Sequence, residues 1–117
     1  MNETNEQGEV VFRCDYCKMA WAADRQMIEG HRGSLICDRC LSIAYTEIVH
    51  LDSGYHPAKT EACRLCLEVE RDGLHWQSPI DDAALACRRC IKQSAGVLHK
   101  DPDFPWKKPI DPTIDRP

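Results

Sequence analysis

Thiols paired at Cys-x-x-Cys spacing are the residues of this sequence best placed to do chemistry, and all eight cysteines fall into four such pairs. In RCDYCKMAWAADRQMIEGHRGSLICDRCL, Arg13 to Leu41, nineteen residues separate Cys14 and Cys17 from Cys37 and Cys40. The pattern returns with Cys63 and Cys66, then Cys87 and Cys90, twenty residues apart. Two thiolates three residues apart face one ion, and a second such pair completes a tetrahedral site. The chemistry this predicts is metal ligation, with two Zn2+ as cofactors, one for each set of four. Spacing alone also admits iron, although zinc suits the ligand set better. Disulfides require an oxidising compartment. A thioredoxin-like motif uses one Cys-x-x-Cys after a strand, not four at even spacing. A closed four-thiolate site offers no open position for catalysis, so the zinc is expected to be structural and the chain not an enzyme. The first four and last four cysteines are paired because each set repeats one pattern. A cross-braced arrangement, joining pairs one with three and two with four, is the alternative.

Positioning those sulfurs takes little structure. Gln26–Ile28 and Ser34–Ile36 read as short strands around a Glu29–Gly33 turn. In the second copy, Leu74–Gln77 is the first strand, and the alanine-rich Ala83–Ala86 reads equally as strand or helical turn. After Cys40, the apolar residues Leu41, Ala44, Tyr45 and Ile48 recur at helical spacing, with Asp38 as the expected cap and Asp52-Ser53-Gly54 as the stop. Ile91, Ala95 and Leu98 match them. Gly96 weakens that second helix by roughly 1 kcal/mol relative to alanine, and Asp101-Pro102 ends it, so it should be the shorter of the two. The order knuckle, hairpin, knuckle, helix describes a treble clef. The expected fold is a small metal-stabilised α+β chain of two tandem treble-clef zinc fingers. Finger one spans 10–52 and finger two 61–100, joined by a linker at 53–60. A flexible amino end (1–9) and an extended tail (101–117) flank them, the tail holding five of the seven prolines.

Length and composition agree. A unit of about forty residues buries too little apolar surface to stand alone and needs a metal, disulfides or a partner. Hydrophobic content of 43% and charged content of 29% are ordinary for a soluble protein. The polar, acidic start MNETNEQGEVVF lacks a basic region followed by an apolar run, and nothing approaches a membrane span, so the expected location is cytoplasmic. The formal net charge is −4. Eight thiolates and two dications bring it to about −8.

The phrase CDYCKMAWAADRQMIEGHRGSLICDRCLSIAYTEIV resembles the amino-terminal four-cysteine zinc-binding domain of the bacterial ClpX unfoldase. The shared features are the Cys14–Cys17 knuckle, Ile28-Glu29-Gly30, and Ile36-Cys37-Asp38-Arg39-Cys40-Leu41 running into an apolar helix. The likeness covers Arg13 to about Leu51. The second unit keeps only its cysteines and Ile91. The resemblance implies a zinc-binding treble clef that dimerises through apolar surfaces and captures adaptors and substrates for an attached ATPase. No GxxxxGK[ST] phosphate loop occurs in the chain. Both knuckles depart from the family in carrying Lys18 and Leu67 where glycine is common. One chain with two copies suggests an intramolecular pseudo-dimer, the helices after Cys40 and Cys90 packing together; a homodimer is the other arrangement.

The remaining residues carry weaker signals. None of the five histidines is needed as a ligand, and all are expected at the surface or near helix ends. Trp21 and Trp76 are expected to cover the small cores. Trp106, in FPWKKP, either docks back onto the fingers or serves as an exposed partner-binding anchor. The function expected is a non-catalytic zinc-binding protein-interaction module, an adaptor or regulator of a multiprotein, proteolytic machine. The alternative is a zinc-finger nucleic-acid binder using Arg88, Arg89 and Lys92. The acidic balance argues against it, because such binding rests on cationic contacts. A thiol-based redox sensor would need a labile site.

Overall fold

The computed structural model describes residues 2–4 and 10–112, with side chains from Phe12 onward. Of the expected flexible end and extended tail, residues 1, 5–9 and 113–117 lie outside the described residues. Strand β1 (Asn2–Thr4) pairs antiparallel with β2 (Val10–Phe12), inside the stretch read as a flexible end and its border.

The first unit continues with β3 (Met27–Glu29), β4 (Leu35–Cys37) and α1 (Asp38–Tyr45), which runs on as a π-helical turn, Thr46–His50. The second consists of β5 (His75–Gln77), β6 (Leu85–Cys87) and α2 (Arg88–His99). The hairpins are superposable in register: Ile28 faces Ile36 as Trp76 faces Ala86, and Met27 faces Cys37 as His75 faces Cys87. Strands β3 and β4 begin and end one residue later than the sequence suggests. The ladder extends to Asp38, whose N–H donates to the Gln26 carbonyl at 2.8 Å. The alanine-rich segment that sequence left ambiguous ends in a strand. The extra residue of the second copy is a net result. Seven residues rather than five join its strands, while eight rather than nine lie between its first knuckle and first strand.

Two helix expectations are corrected. Cys37, not Asp38, caps α1, its Sγ accepting from the Cys40 N–H at 3.5 Å. Asp38 takes the first helical position instead, where its negative charge suits the positive end of the helix dipole. Nor is the second the shorter α-helix. It runs as twelve uninterrupted α-helical residues, whereas the first keeps α geometry for eight and then widens into the π turn. Gly96 sits where an added Cβ would meet nothing within 4 Å, so its small size answers no packing need.

The two units share one core. Helix α1 packs against α2, and Leu41, Ala44 and Ile48 join Ile91, Ala95 and Leu98 in one buried cluster with Tyr16, Leu65 and Trp76. Tyr16 and Trp76 stack with ring centroids 5.4 Å apart, tilted by 41°. The polar contacts across the junction are reciprocal. The hairpin turn of unit one reaches the knuckle of unit two, where the His31 N–H donates to the Leu65 carbonyl at 2.7 Å. The hairpin turn of unit two reaches the knuckle of unit one, where the Ser78 hydroxyl donates to the Tyr16 carbonyl. Tyr16 and Leu65 hold the same place, two residues after the first cysteine of each unit. Between them lies a further self-matching pair, Asp15 and Arg64, bridged at 3.4 Å. The Tyr16 hydroxyl adds a 2.8 Å bond to the Leu85 carbonyl.

Residues 101–110 do not extend away from this body. Trp106 is 8% exposed and its Nε1 donates to the Ser42 hydroxyl on α1 at 2.8 Å. His50 Nε2 lies 2.7 Å from the Pro109 carbonyl, and His99 Nδ1 accepts from the Lys108 N–H at 3.1 Å. The helix-end histidines therefore hold the tail down. Among the described residues no helix is long and apolar enough to cross a membrane.

Candidate metal centres

Each set of four cysteines is assembled from a turn and a helix start. The knuckle after the first cysteine is closed by the Lys18 N–H to the Cys14 carbonyl at 2.9 Å, and by Leu67 to Cys63 at 2.8 Å. The absence of glycine does not change this turn. Lys18 and Leu67 adopt left-handed conformations, with φ of 64° and 63°, a backbone that costs an L-residue roughly 1–2 kcal/mol. The second pair of each set sits where the strand passes into the helix. There Cys37 and Cys87 are the caps, and Cys40 and Cys90 face inward from the first turn. The Asp15 N–H to Leu35 and Arg64 N–H to Leu85 bonds, 2.9 and 2.7 Å, tie each knuckle to its own hairpin.

Cys14, Cys17, Cys37 and Cys40 form one cluster, and Cys63, Cys66, Cys87 and Cys90 the other, with the four sulfurs of each within 4.8 Å of one another. The pairing by consecutive sets is therefore the one present, and the cross-braced alternative is excluded. The geometry fits a tetrahedral ion. Zn–S bonds of about 2.3 Å imply sulfur–sulfur edges of about 3.8 Å, and Cys17–Cys37 and Cys66–Cys87 measure 3.7 and 3.9 Å. Backbone N–H groups point at the same sulfurs: Cys14 Sγ accepts from Tyr16 and Cys37, both at 3.4 Å, and Cys63 Sγ accepts from Cys87 at 3.3 Å.

Proton sharing in each cluster reflects the same crowding. Cys14 and Cys63 are held far below the usual thiol range, chiefly by hydrogen bonds from the Cys37 and Cys87 thiols. Those donors move the other way, Cys37 to about 12 and Cys87 to about 11, because each holds its proton in a hydrogen bond donated to the first sulfur. Cys40 and Cys90 rise further for the same reason. One thiolate accepts the S–H hydrogen bonds of its neighbours, and a divalent cation placed among the four would displace those protons and take over that role.

Several side chains fall elsewhere than expected. Trp76 is buried as anticipated, but Trp21 is 54% exposed and covers no core; Phe12 and Met19, near it in sequence, are about as open, at 46% and 53%. Trp106 is buried against α1, so its ring is covered by the chain itself and offers no anchor. His75 is not a surface histidine: it is fully buried, its Nδ1 3.2 Å from the Gly73 carbonyl. Of the basic trio, Arg88 is engaged internally, donating to the Ile48 carbonyl at 3.0 Å.

Sequence reading missed the arginines beside the sulfurs. Arg25 Nη1 reaches Cys17 Sγ at 3.9 Å. Arg71 lines the same open groove as Cys66, and this sulfur holds the guanidinium above its usual range. Neither lies at a fixed spacing from its cysteine, so only the abundance of arginine near the knuckles hinted at them. Comparison with family models, with curated proteins and with solved structures returned no match.

Proposed function

We propose that the chain is a non-catalytic zinc-binding interaction module, two treble-clef fingers joined as an intramolecular pseudo-dimer. The observation that carries the reading is the use of all eight thiols in two closed clusters that share one buried core. Four sulfurs saturate a tetrahedral zinc ion and leave it no position for substrate, which favours a structural ion over a catalytic one. The reciprocal Leu65 and Tyr16 contacts are those expected of two copies related by a twofold axis. On the resemblance of Arg13 to about Leu51 to the ClpX zinc-binding domain, the partner class is protein, the role that of a cytoplasmic adaptor or regulator of a proteolytic machine. The acidic net charge and the engaged Arg88 weigh against nucleic acid.

The test is affinity capture from the native cell lysate with zinc-loaded bait, against nuclease-treated and chelator-stripped controls. A protein partner that survives nuclease and vanishes without metal supports the module. Capture lost to nuclease, together with affinity for DNA or RNA that falls steeply with salt, would replace it with the nucleic-acid reading.

A further inference from the structure

Within each cluster one sulfur is more accessible than the rest. Cys17 in the first and Cys66 in the second are only half-buried, while the other six cysteines are buried. These are the two sulfurs with an arginine beside them: Arg25 Nη1 lies 3.9 Å from Cys17 Sγ, and Arg71 lines the same groove as Cys66. The arginines are not copies of one ancestral position, because Arg25 follows its cysteine by eight residues and Arg71 by five. Two unrelated places in the chain put the same group on the same exposed ligand.

A zinc ion with four thiolates carries a net charge of −2, concentrated on the sulfurs. A guanidinium beside the open sulfur offsets part of that charge and occupies the lone pair an electrophile would attack. We propose that Arg25 and Arg71 are positioning residues that guard metal retention at the accessible sulfur of each site, and that the guard of the second site is the weaker. Arg25 is 8% exposed, and its N–H is fixed to the Ala22 carbonyl at 3.0 Å. Arg71 stands at an open groove of about 490 Å3 that also reaches Cys66, Cys90 and Gln93. Solvent and reagents thus reach the Arg71–Cys66 pair, and metal leaves the Cys63, Cys66, Cys87, Cys90 cluster first.

The inference rests on the zinc reading of the same clusters. The test uses the full chain loaded with two zinc ions and limiting N-ethylmaleimide, with zinc release followed by a chromogenic chelator and alkylated cysteines mapped by mass spectrometry. Cys66 should be alkylated before Cys17. Outer partners of metal ligands typically matter about 10- to 100-fold, so Arg71→Gln should speed release from the second site roughly tenfold and leave the first unchanged. Arg71→Lys should recover part of the loss, and Arg25→Gln should act on the first site alone. Cobalt substitution supplies an independent readout, because the thiolate-to-cobalt charge-transfer band should shift in the Gln variants. Should Arg25→Gln fail to load, Arg25→Lys and the Arg71 pair still decide the question. Alkylation of Cys17 first, or release at wild-type rates from fully loaded Gln variants, overturns the proposal. A chain that takes up no zinc would instead defeat the metal reading beneath it.

Discussion

Each unit holds four sulfurs in the same frame, yet the two join each other by different means. At the first joint a backbone makes the contact: Gly30 and His31 lie so close to Leu65 that a Cβ on Gly30 would sit 2.6 Å from the Leu65 carbonyl oxygen. At the second, a side chain makes it: the Ser78 hydroxyl donates to the Tyr16 carbonyl. The same divergence appears on the helices. The tail covers α1 with Trp106, while α2 borders the open groove. Metal geometry constrains the ligands and the residues next to them, so those stay alike. Where the units meet, any solution that satisfies the buried carbonyls is tolerated.

The largest effects should come from breaking one site and watching the other. A structural zinc site contributes on the order of 10 kcal/mol. Cys14→Ala or Cys63→Ala should each remove several kcal/mol, more than a small chain has to spare. Because the core is shared, amide protection should fall in both α1 and α2 whichever site is broken. Hydrogen exchange that collapses in one unit only, or relaxation data in which the units tumble separately, would break the comparison into two independent fingers.

Trp106→Ala comes next. Truncating a buried tryptophan costs about 3–5 kcal/mol, and here it also leaves the Ser42 hydroxyl without its donor. Urea denaturation of the zinc-loaded chain should show a loss of about 3 kcal/mol. An unchanged midpoint would mean that the tail does not rest on α1 in solution.

The joints follow. Gly30→Ala drives a methyl group into the Leu65 backbone and should cost about 2 kcal/mol, in the range of overpacking. Ser78→Ala strands a buried carbonyl and should cost about 1–2 kcal/mol. Equal costs in a double mutant and in the sum of the singles would mean that the joints act independently; they flank one core, so coupling is the expected result.

Both clusters were legible because thiolate spacing is short-range and strict: two residues separate the ligands of a pair, and no tertiary detail alters that. The helix faces were legible for a similar reason, since Leu41, Ala44 and Ile48 declare a period. What escaped the sequence is long-range or unpatterned. His75 reads as a polar residue beside a tryptophan, and only the packing of β5 buries it. Trp21, expected over a core, lies exposed, and Trp106, left between docking and exposure, lies buried, because a tail rich in proline has no period to show where it lies. The guard arginines sit at unequal spacing from their cysteines, so no motif could name them.

The smallest predicted effect lies in the knuckles, where the units look most alike. Lys18 and Leu67 both accept left-handed φ, a cost of roughly 1–2 kcal/mol that glycine would avoid, less about 0.5–1 kcal/mol for its freer unfolded chain. Their side chains differ. Lys18 Nζ bonds the Asp15 carbonyl and Asp81 Oδ2, both at 2.6 Å, and the hydrogen bond from Lys18 lowers the Asp81 carboxyl below its ordinary range. Leu67 is 41% exposed. Leu67→Gly should therefore stabilise the chain by about 0.5–1 kcal/mol. Lys18→Gly should come out near zero, because it gives up a surface ion pair worth at most about 1 kcal/mol. The denaturation midpoint at saturating zinc separates these outcomes. A Leu67→Gly variant less stable than its parent would mean that leucine packs usefully there, and that the second knuckle is a contact surface rather than a strained turn.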